Sequence, residues 1–416
     1  MEQNPIQTDL PQTHVPYTAP TKPQLWLLGG VILIGMIFRA LIEIDTQIWY
    51  SIFWLVALAV FVSFNWKRVA GNKTVLALLV PTLVLCGVLF FRTMELDLGI
   101  LTLLAIPALM ITIGVFTTQE IAYKREGKAA LGVLIAVFVK PFTAIGAYFR
   151  AWGGIFRAKE RSSARHGWIG LLIGIPLMIV VLALLASADA GTAKLLGEWF
   201  ENIEVWQWIS RILVVFVTSM LFYSLFFNFT WGKADAELAP VRQNWKTAGS
   251  GVVIGLLLIA YALFTYVQFT YLFGGTLPVD LTYSEYARAG FGQFLAVTLI
   301  NFTVLGVSIA KNEPKRAIKA LQTLLILASL VVLASAAWRM LLYVGAYGLT
   351  IRRVLPLWLM LYFVFLAVVG VARVFREEVP FLRIGAFALA YWYAAFACVD
   401  WNAVMQAYNL AHGYGA

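Results

Sequence analysis

Thr282 to Gln293, TYSEYARAGFGQ, places a glutamate, an arginine and two tyrosines between two long apolar runs. The spacing allows definite chemistry. Thr282 with Glu285 three residues later is a capping box, in which the hydroxyl accepts an unpaired helix N–H and the carboxylate reaches back to the cap. Arg288 lies three beyond Glu285, so the two can pair on one helical face, and Tyr283 lies three before Tyr286. A second group, Arg339, Tyr343 and Tyr347, recurs at i, i+4 and i+8; Gly348 then offers a helix stop, Thr350 a new N-cap, and Arg353 follows. A third, DWNAVMQAYN from Asp400, ends on Tyr408 and Asn409. Arginines and tyrosines beside a bilayer suit an anionic headgroup, phosphate or carboxylate, because the guanidinium fork matches a pair of oxygens. The same residues also suit a plainer task, sealing and anchoring helix ends at the interface.

The elements that must position these groups are membrane helices. Of 416 residues, 61% are hydrophobic and 12% charged, and the mean hydropathy is +0.83, against roughly 25% charged in a soluble domain. The apolar runs reach the length of about 20 residues that crosses a bilayer, and no short alternating segments suggest a barrel. Without water to satisfy the backbone, spanning helices are the expected solution. The fold class is therefore all-α, a polytopic transmembrane helix bundle. Eleven spans are expected: 25–41, 48–64, 75–91, 98–117, 168–186, 208–230, 251–273, 291–310, 320–338, 354–372 and 384–399. The organisation reads as a disordered polar tail (1–24), a first four-helix membrane segment (25–117), a basic cytoplasmic or interfacial segment (118–167) and a main membrane domain (168–416).

Basic residues set the orientation. With the N-terminus in the cytoplasm, most lysines and arginines fall in loops on its side, and the C-terminus faces outward. The stretches holding Glu285, Arg339 to Arg353 and Asp400 to Asn409 then converge on the outer surface, with Arg92, Glu95 and Asp97 from an earlier outer loop. Residues 129–149 are long enough to span but carry Lys140 and Pro141 at the centre, and a central lysine costs about 2.5 to 3.5 kcal/mol on insertion. They are expected to form a shallow or re-entrant element leading into an interfacial amphipathic helix. Phe142, Ile145, Phe149, Trp152 and Phe156 share one face of it, and residues 140–165 offer anionic lipids a contact.

The net charge of +10 needs no nucleic-acid partner in such a chain, since lysine and arginine here orient helices. Cys86 and Cys398 lie in apolar runs, and His14, His166 and His412 are scattered. No metal site, disulfide framework or cofactor is expected.

The segments TYSEYARAGFGQFLAVTLIN, YVGAYGLTIRR and the terminal AYN together resemble a bacterial membrane family catalogued as a domain of unknown function, number 4173. The resemblance is strongest from Trp168 onward. Its motif residues correspond to Tyr283, Glu285, Tyr286, Arg288, Gly290 and Phe291, then to Tyr347, Gly348, Leu349, Thr350 and Arg353. Asn402 and Ala407 depart from the family's acidic residue and arginine. The resemblance implies the bacterial cytoplasmic membrane and an address for the site, but no reaction. Three functions follow in order. The first is a non-enzymatic sensor, regulator or assembly partner with a ligand-binding outer rim and a membrane or extracytoplasmic protein partner. The second is a transporter of a lipid or uncharged solute. The third is an enzyme on a lipid-linked substrate, with Glu285 as base and Arg288, Arg339 or Arg353 holding phosphate.

Overall fold

The computed structural model of the protein describes residues 19–44, 46–92, 96–118, 126–158, 205–232, 247–272, 291–311, 316–376 and 378–414, and the single positions 178, 181, 185 and 191. Among the described residues, 92% are helical and no strand occurs. In chain order the helices are α1 (Lys22–Ile44), α2 (Gln47–Gly71), α3 (Lys73–Phe91), α4 (Leu96–Thr118), α5 (Glu126–Phe138), α6 (Lys140–Thr143) and α7 (Ile145–Ala158). They continue with α8 (Val205–Thr230), α9 (Thr247–Leu272), α10 (Phe291–Lys311), α11 (Arg316–Tyr347), α12 (Ile351–Phe375), α13 (Phe381–Cys398) and α14 (Trp401–Ala411).

Among the described residues, nine of these helices are long and apolar enough to cross a membrane, or ten if the broken pair Gly132–Phe138 and Lys140–Ile155 is one span. The protein is a multi-pass integral membrane protein. Its helices carry large apolar side chains on their outer faces, such as Ile259, Leu263 and Val368, which only lipid accommodates. Eleven spans is thus approximate. Of the expected span 168–186 only Met178, Val181 and Leu185 are described, and the described apolar part of α10 is only Ala296–Ile309.

Two compact units are present, one made of Met1–Arg39 with Lys140–Asn228, the other of Ala40–Val139 with Phe229–Ala416. In the first, the break before α7 is held by α8. Pro141 has no N–H to give, and the turn there leaves backbone groups that hydrocarbon cannot satisfy. The Ser224 hydroxyl donates to the Lys140 carbonyl at 3.0 Å and accepts from the Ala144 N–H at 2.9 Å, bridging the break. The Asn228 amide also donates to the Lys140 carbonyl at 2.8 Å. Next, α7 buries Ala147, Tyr148 and Ala151, with Tyr148 bonded to the Ser219 hydroxyl and set edge-on to Phe216 and Tyr223. Of the residues expected on one apolar face, Phe142 and Phe149 are exposed, Ile145 and Trp152 are half-buried, and the side chain of Phe156 lies outside the described residues.

In the second unit, α9, α10, α11, α12 and the start of α13 share one core around Phe302, Leu325, Phe363 and Phe381. Beside it, α2, α3 and α4 pack on one another, and α3 and α4 also on α13. Polar side chains join these apolar helices where the backbone needs a partner. Asn72 caps α3 by accepting from the N–H groups of Thr74 and Val75, while its amide donates to the Phe116 carbonyl of α4 at 3.1 Å. The helix α2 kinks at Asn65 (φ −118°, ψ 15°), whose amide reaches the Thr230 hydroxyl at 3.0 Å. Pro81 deprives the Ala77 carbonyl of its helical donor, and the Tyr391 hydroxyl of α13 replaces it at 2.6 Å. Tyr391→Phe is therefore expected to lower stability by roughly 1 kcal/mol, as intramembrane hydrogen bonds do. Unfolding in detergent micelles checks this, and an unchanged midpoint would show that Ala77 finds another donor.

Candidate ligand-binding rim

The helix α11 is 32 residues long, so it extends about 48 Å at 1.5 Å per residue, well beyond the hydrocarbon thickness of about 30 Å. Between Lys319 and Arg339 it carries no charge. Arg339 is buried, at 7% exposure, and its side chain is engaged within the bundle. The turns beyond it, with Tyr343 and Tyr347, stand past the apolar zone. The stretch from Arg339 onward, beyond the expected span 320–338, is helical to Tyr347, because Met340, Leu341, Leu342 and Val344 continue the apolar run; Gly348 is the stop that the sequence offered, and only Gly348 to Thr350 are non-helical.

At that corner three elements meet. Gly348 has φ +77°, a conformation that costs other residues strain, and it ends α11. Arg353 caps the same helix: its guanidinium donates to the Tyr347 carbonyl at 2.7 Å and to the Gly348 carbonyl, and lies 4.1 Å above the Tyr343 ring and 5.9 Å from that of Tyr347. A cation at a helix C-terminus meets the negative end of its dipole. Asn409 of α14 clamps the loop. Its Oδ1 accepts from the Leu349 N–H at 2.6 Å and its Nδ2 donates to the Leu349 carbonyl at 2.9 Å. Tyr414 then closes over the last turn, donating from its hydroxyl to the Gly345 carbonyl.

Arg352 faces the other way. Its Nε donates to Asp97 Oδ2 of α4 at 2.7 Å, and its side chain is 81% exposed against 37% for Asp97. Together with Leu349, Thr350, Ile351, Met405 and Asn409 the pair lines a cavity of about 620 Å³. Its lining thus combines a charged pair with polar and apolar side chains. Nearby, the Arg92 guanidinium donates to the Cys398 carbonyl at 2.9 Å, tying the end of α3 to the end of α13. The ends of α3, α11 and α13 and the starts of α4, α12 and α14 are thereby collected in one place.

The candidates read from sequence divide as follows. Tyr343, Tyr347, Arg353 and Asn409 are brought together at the corner; Tyr408 stacks on His412 at 4.1 Å on α14. Arg339 sits two turns deeper. Tyr283, Glu285, Tyr286 and Arg288, with the Thr282 capping box, lie outside the described residues. Thr350 is the N-cap of α12 without a side-chain bond, its carbonyl instead accepting from Arg353 and Val354 N–H groups. Sequence reasoning missed the Asp97–Arg352 pair. Its signal was electrostatic: an arginine in the first turn of a helix opposes the dipole and calls for an acidic partner. It also missed a buried polar chain in the spans, in which Tyr261 donates to Asn301 at 2.5 Å and Asn301 to Ser329 at 2.9 Å.

A family model described as Domain of unknown function (DUF4153) matches residues 79–414. The chain belongs to this family. The number 4173 expected from the motifs is not confirmed. The match begins inside α3, so the DUF4153 region holds every residue of the rim, from Arg92 and Asp97 to Asn409 and Tyr414. No curated protein and no solved structure matches this DUF4153 chain.

Proposed function

We propose that the protein is a non-enzymatic sensor, regulator or assembly partner whose polar rim, on the outer face of a bacterial cytoplasmic membrane, holds a small ligand bearing an anionic group. The observation that carries this is the cavity at Asp97 and Arg352. Arg353 and Asn409 are occupied in shaping the corner, whereas Arg352 turns a largely exposed guanidinium to the same space and spends only Nε on Asp97. The rim is thus built in two parts, a fixed wall and a charged lip. Orientation with the C-terminus outside is supported by charge: in the second unit Lys67, Arg68, Lys73, Arg316, Lys319, Arg373, Arg376 and Arg383 lie towards the helix ends remote from the rim. Contact of residues 140–165 with anionic lipid, and a membrane or extracytoplasmic protein partner for the rim, belong to the same proposal.

Lipid transport is the second reading, favoured by an apolar cavity of about 460 Å³ between α3, α4, α12 and α13. An enzyme acting on a lipid-linked substrate ranks third.

The test uses the full chain in dodecyl maltoside micelles, whose heads carry no charge, with glycerophosphoethanolamine as a soluble probe and thermal unfolding as the readout. The probe is expected to stabilise the wild type by about 2.7 kcal/mol at a hundredfold excess over its Kd. Arg352→Gln abolishes the effect and Arg352→Lys, lacking the planar fork, retains a minor part. No shift in the wild type, or an equal shift in Arg352→Gln, overturns the proposal.

A further inference from the structure

We infer that the rim's ligand is a zwitterionic phospholipid whose head sits at Asp97 and Arg352 and whose acyl chain descends into the apolar cavity below; this rests on the rim reading above. The two cavities share two helices in register. On α4, Asp97 lines the upper one, and Leu101, Leu104, Ala105, Ala108 and Leu109 line the lower. These positions follow one another at steps of three and four, which keeps them on one side of the helix. On α12, Ile351 and Arg352 line the upper cavity and Leu355, Trp358 and Leu359 the lower, again one to two turns further on. Two separate sites would not be expected to align on both helices at once.

The dimensions agree with a lipid in one leaflet. From Asp97 to Ala108 the helix rises about 16 Å, close to half of the roughly 30 Å hydrocarbon core. Besides those α4 and α12 residues the lower cavity is lined by Leu85, Ala386, Leu389, Ala390, Trp392 and Tyr393. Its shape is fixed by a reciprocal pair: the Trp358 indole donates to the Trp392 carbonyl at 3.0 Å, and the Trp392 indole to the Trp358 carbonyl at 2.9 Å. Tyr393 is held by the Thr102 hydroxyl at 2.7 Å. Small side chains at Ala105, Ala108, Ala386 and Ala390 leave the width of a hydrocarbon chain between these anchored rings.

Charge selects the head. A guanidinium beside a carboxylate presents both signs within one hydrogen bond's length, which complements a head carrying both a phosphate and an ammonium. The phosphate is placed at Arg352, the ammonium at Asp97. A purely anionic head would meet Asp97 as a repulsive neighbour.

The experiment places full-length protein in phosphatidylglycerol nanodiscs, whose host lipid lacks the ammonium, doped with phosphatidylethanolamine that carries a diazirine at the acyl terminus. After illumination, labelling is expected to concentrate in 101–109, 355–359 and 386–393. Ala108→Phe and Ala386→Phe, which fill the cavity from exposed positions without disturbing a packed core, each reduce that labelling by about tenfold, equivalent to 1.4 kcal/mol. Labelling at Ile259 and Leu263 of α9 stays unchanged in both variants. Equal labelling at all lipid-facing helices, insensitive to either substitution, means annular lipid only and overturns the inference. Should glycerophosphoethanolamine stabilise the protein through Arg352 while both Phe variants label as the wild type does, the rim reading survives and the acyl-chain inference falls. Indifference of both assays to Arg352→Gln overturns the two together.

Discussion

Gly348→Ala is expected to destabilise the protein by about 2–4 kcal/mol, combining the left-handed backbone penalty with overpacking. Gly348 sits at φ +77°, and a Cβ there would lie 2.6 Å from Asn409 Oδ1 and 3.1 Å from Tyr414 Cβ. Neither neighbour yields cheaply. Asn409 uses both amide atoms on Leu349, so moving it breaks the pair of bonds that shapes the cavity wall. The substitution should therefore weaken binding of the glycerophosphoethanolamine probe along with stability, even though Gly348 does not line the cavity. Unfolding midpoints in micelles and probe titration of the same sample check both. A wild-type midpoint would mean that the corner is loosely packed and that the wall is not fixed by Asn409.

The second large effect is expected at the break before α7. Ser224→Ala removes the hydroxyl that serves the Lys140 carbonyl and the Ala144 N–H together, at a buried site where Ser224 is fully enclosed. A loss of about 1–3 kcal/mol is expected, chiefly for the Ala144 N–H left unpaired, since the Lys140 carbonyl keeps its bond from Asn228. Asn228→Leu adds to it, because the same carbonyl also accepts from Asn228. Combining the two should cost more than the sum, since each alone leaves the other to cover Lys140. Simple additivity would argue that the carbonyl is not shared. Stability of the double variant against the singles, by unfolding in micelles, decides.

These two places show what was legible in the sequence. The spans were, because long apolar runs between charged ends have one physical solution in a bilayer, and nine of the expected eleven appear as spanning helices among the described residues. The corner was half legible. Gly348 followed by a capping threonine announced the end of α11, and the arginine beyond it announced a partner for the last carbonyls. What Asn409 does could not be read, since a side chain sixty residues away completing a backbone pair leaves no periodic trace. The Asp97–Arg352 pair spans 255 residues and joins two helix N-termini, so only the misplaced positive charge hinted at it. Local spacing said less about α7: Tyr148, buried between the aromatic positions that periodicity picked out, anchors the helix through Ser219, a partner seventy-one residues away that leaves no periodic trace.

The most direct test of the account is which side of the membrane the rim faces. In a Cys398→Ser background, Thr350→Cys at the rim and Arg376→Cys at the far end of α12 are both exposed. The account predicts that a membrane-impermeant maleimide labels the Thr350 position in intact cells and the Arg376 position only after permeabilisation. The reverse pattern would put the rim in the cytosol and contradict an outer ligand-binding face.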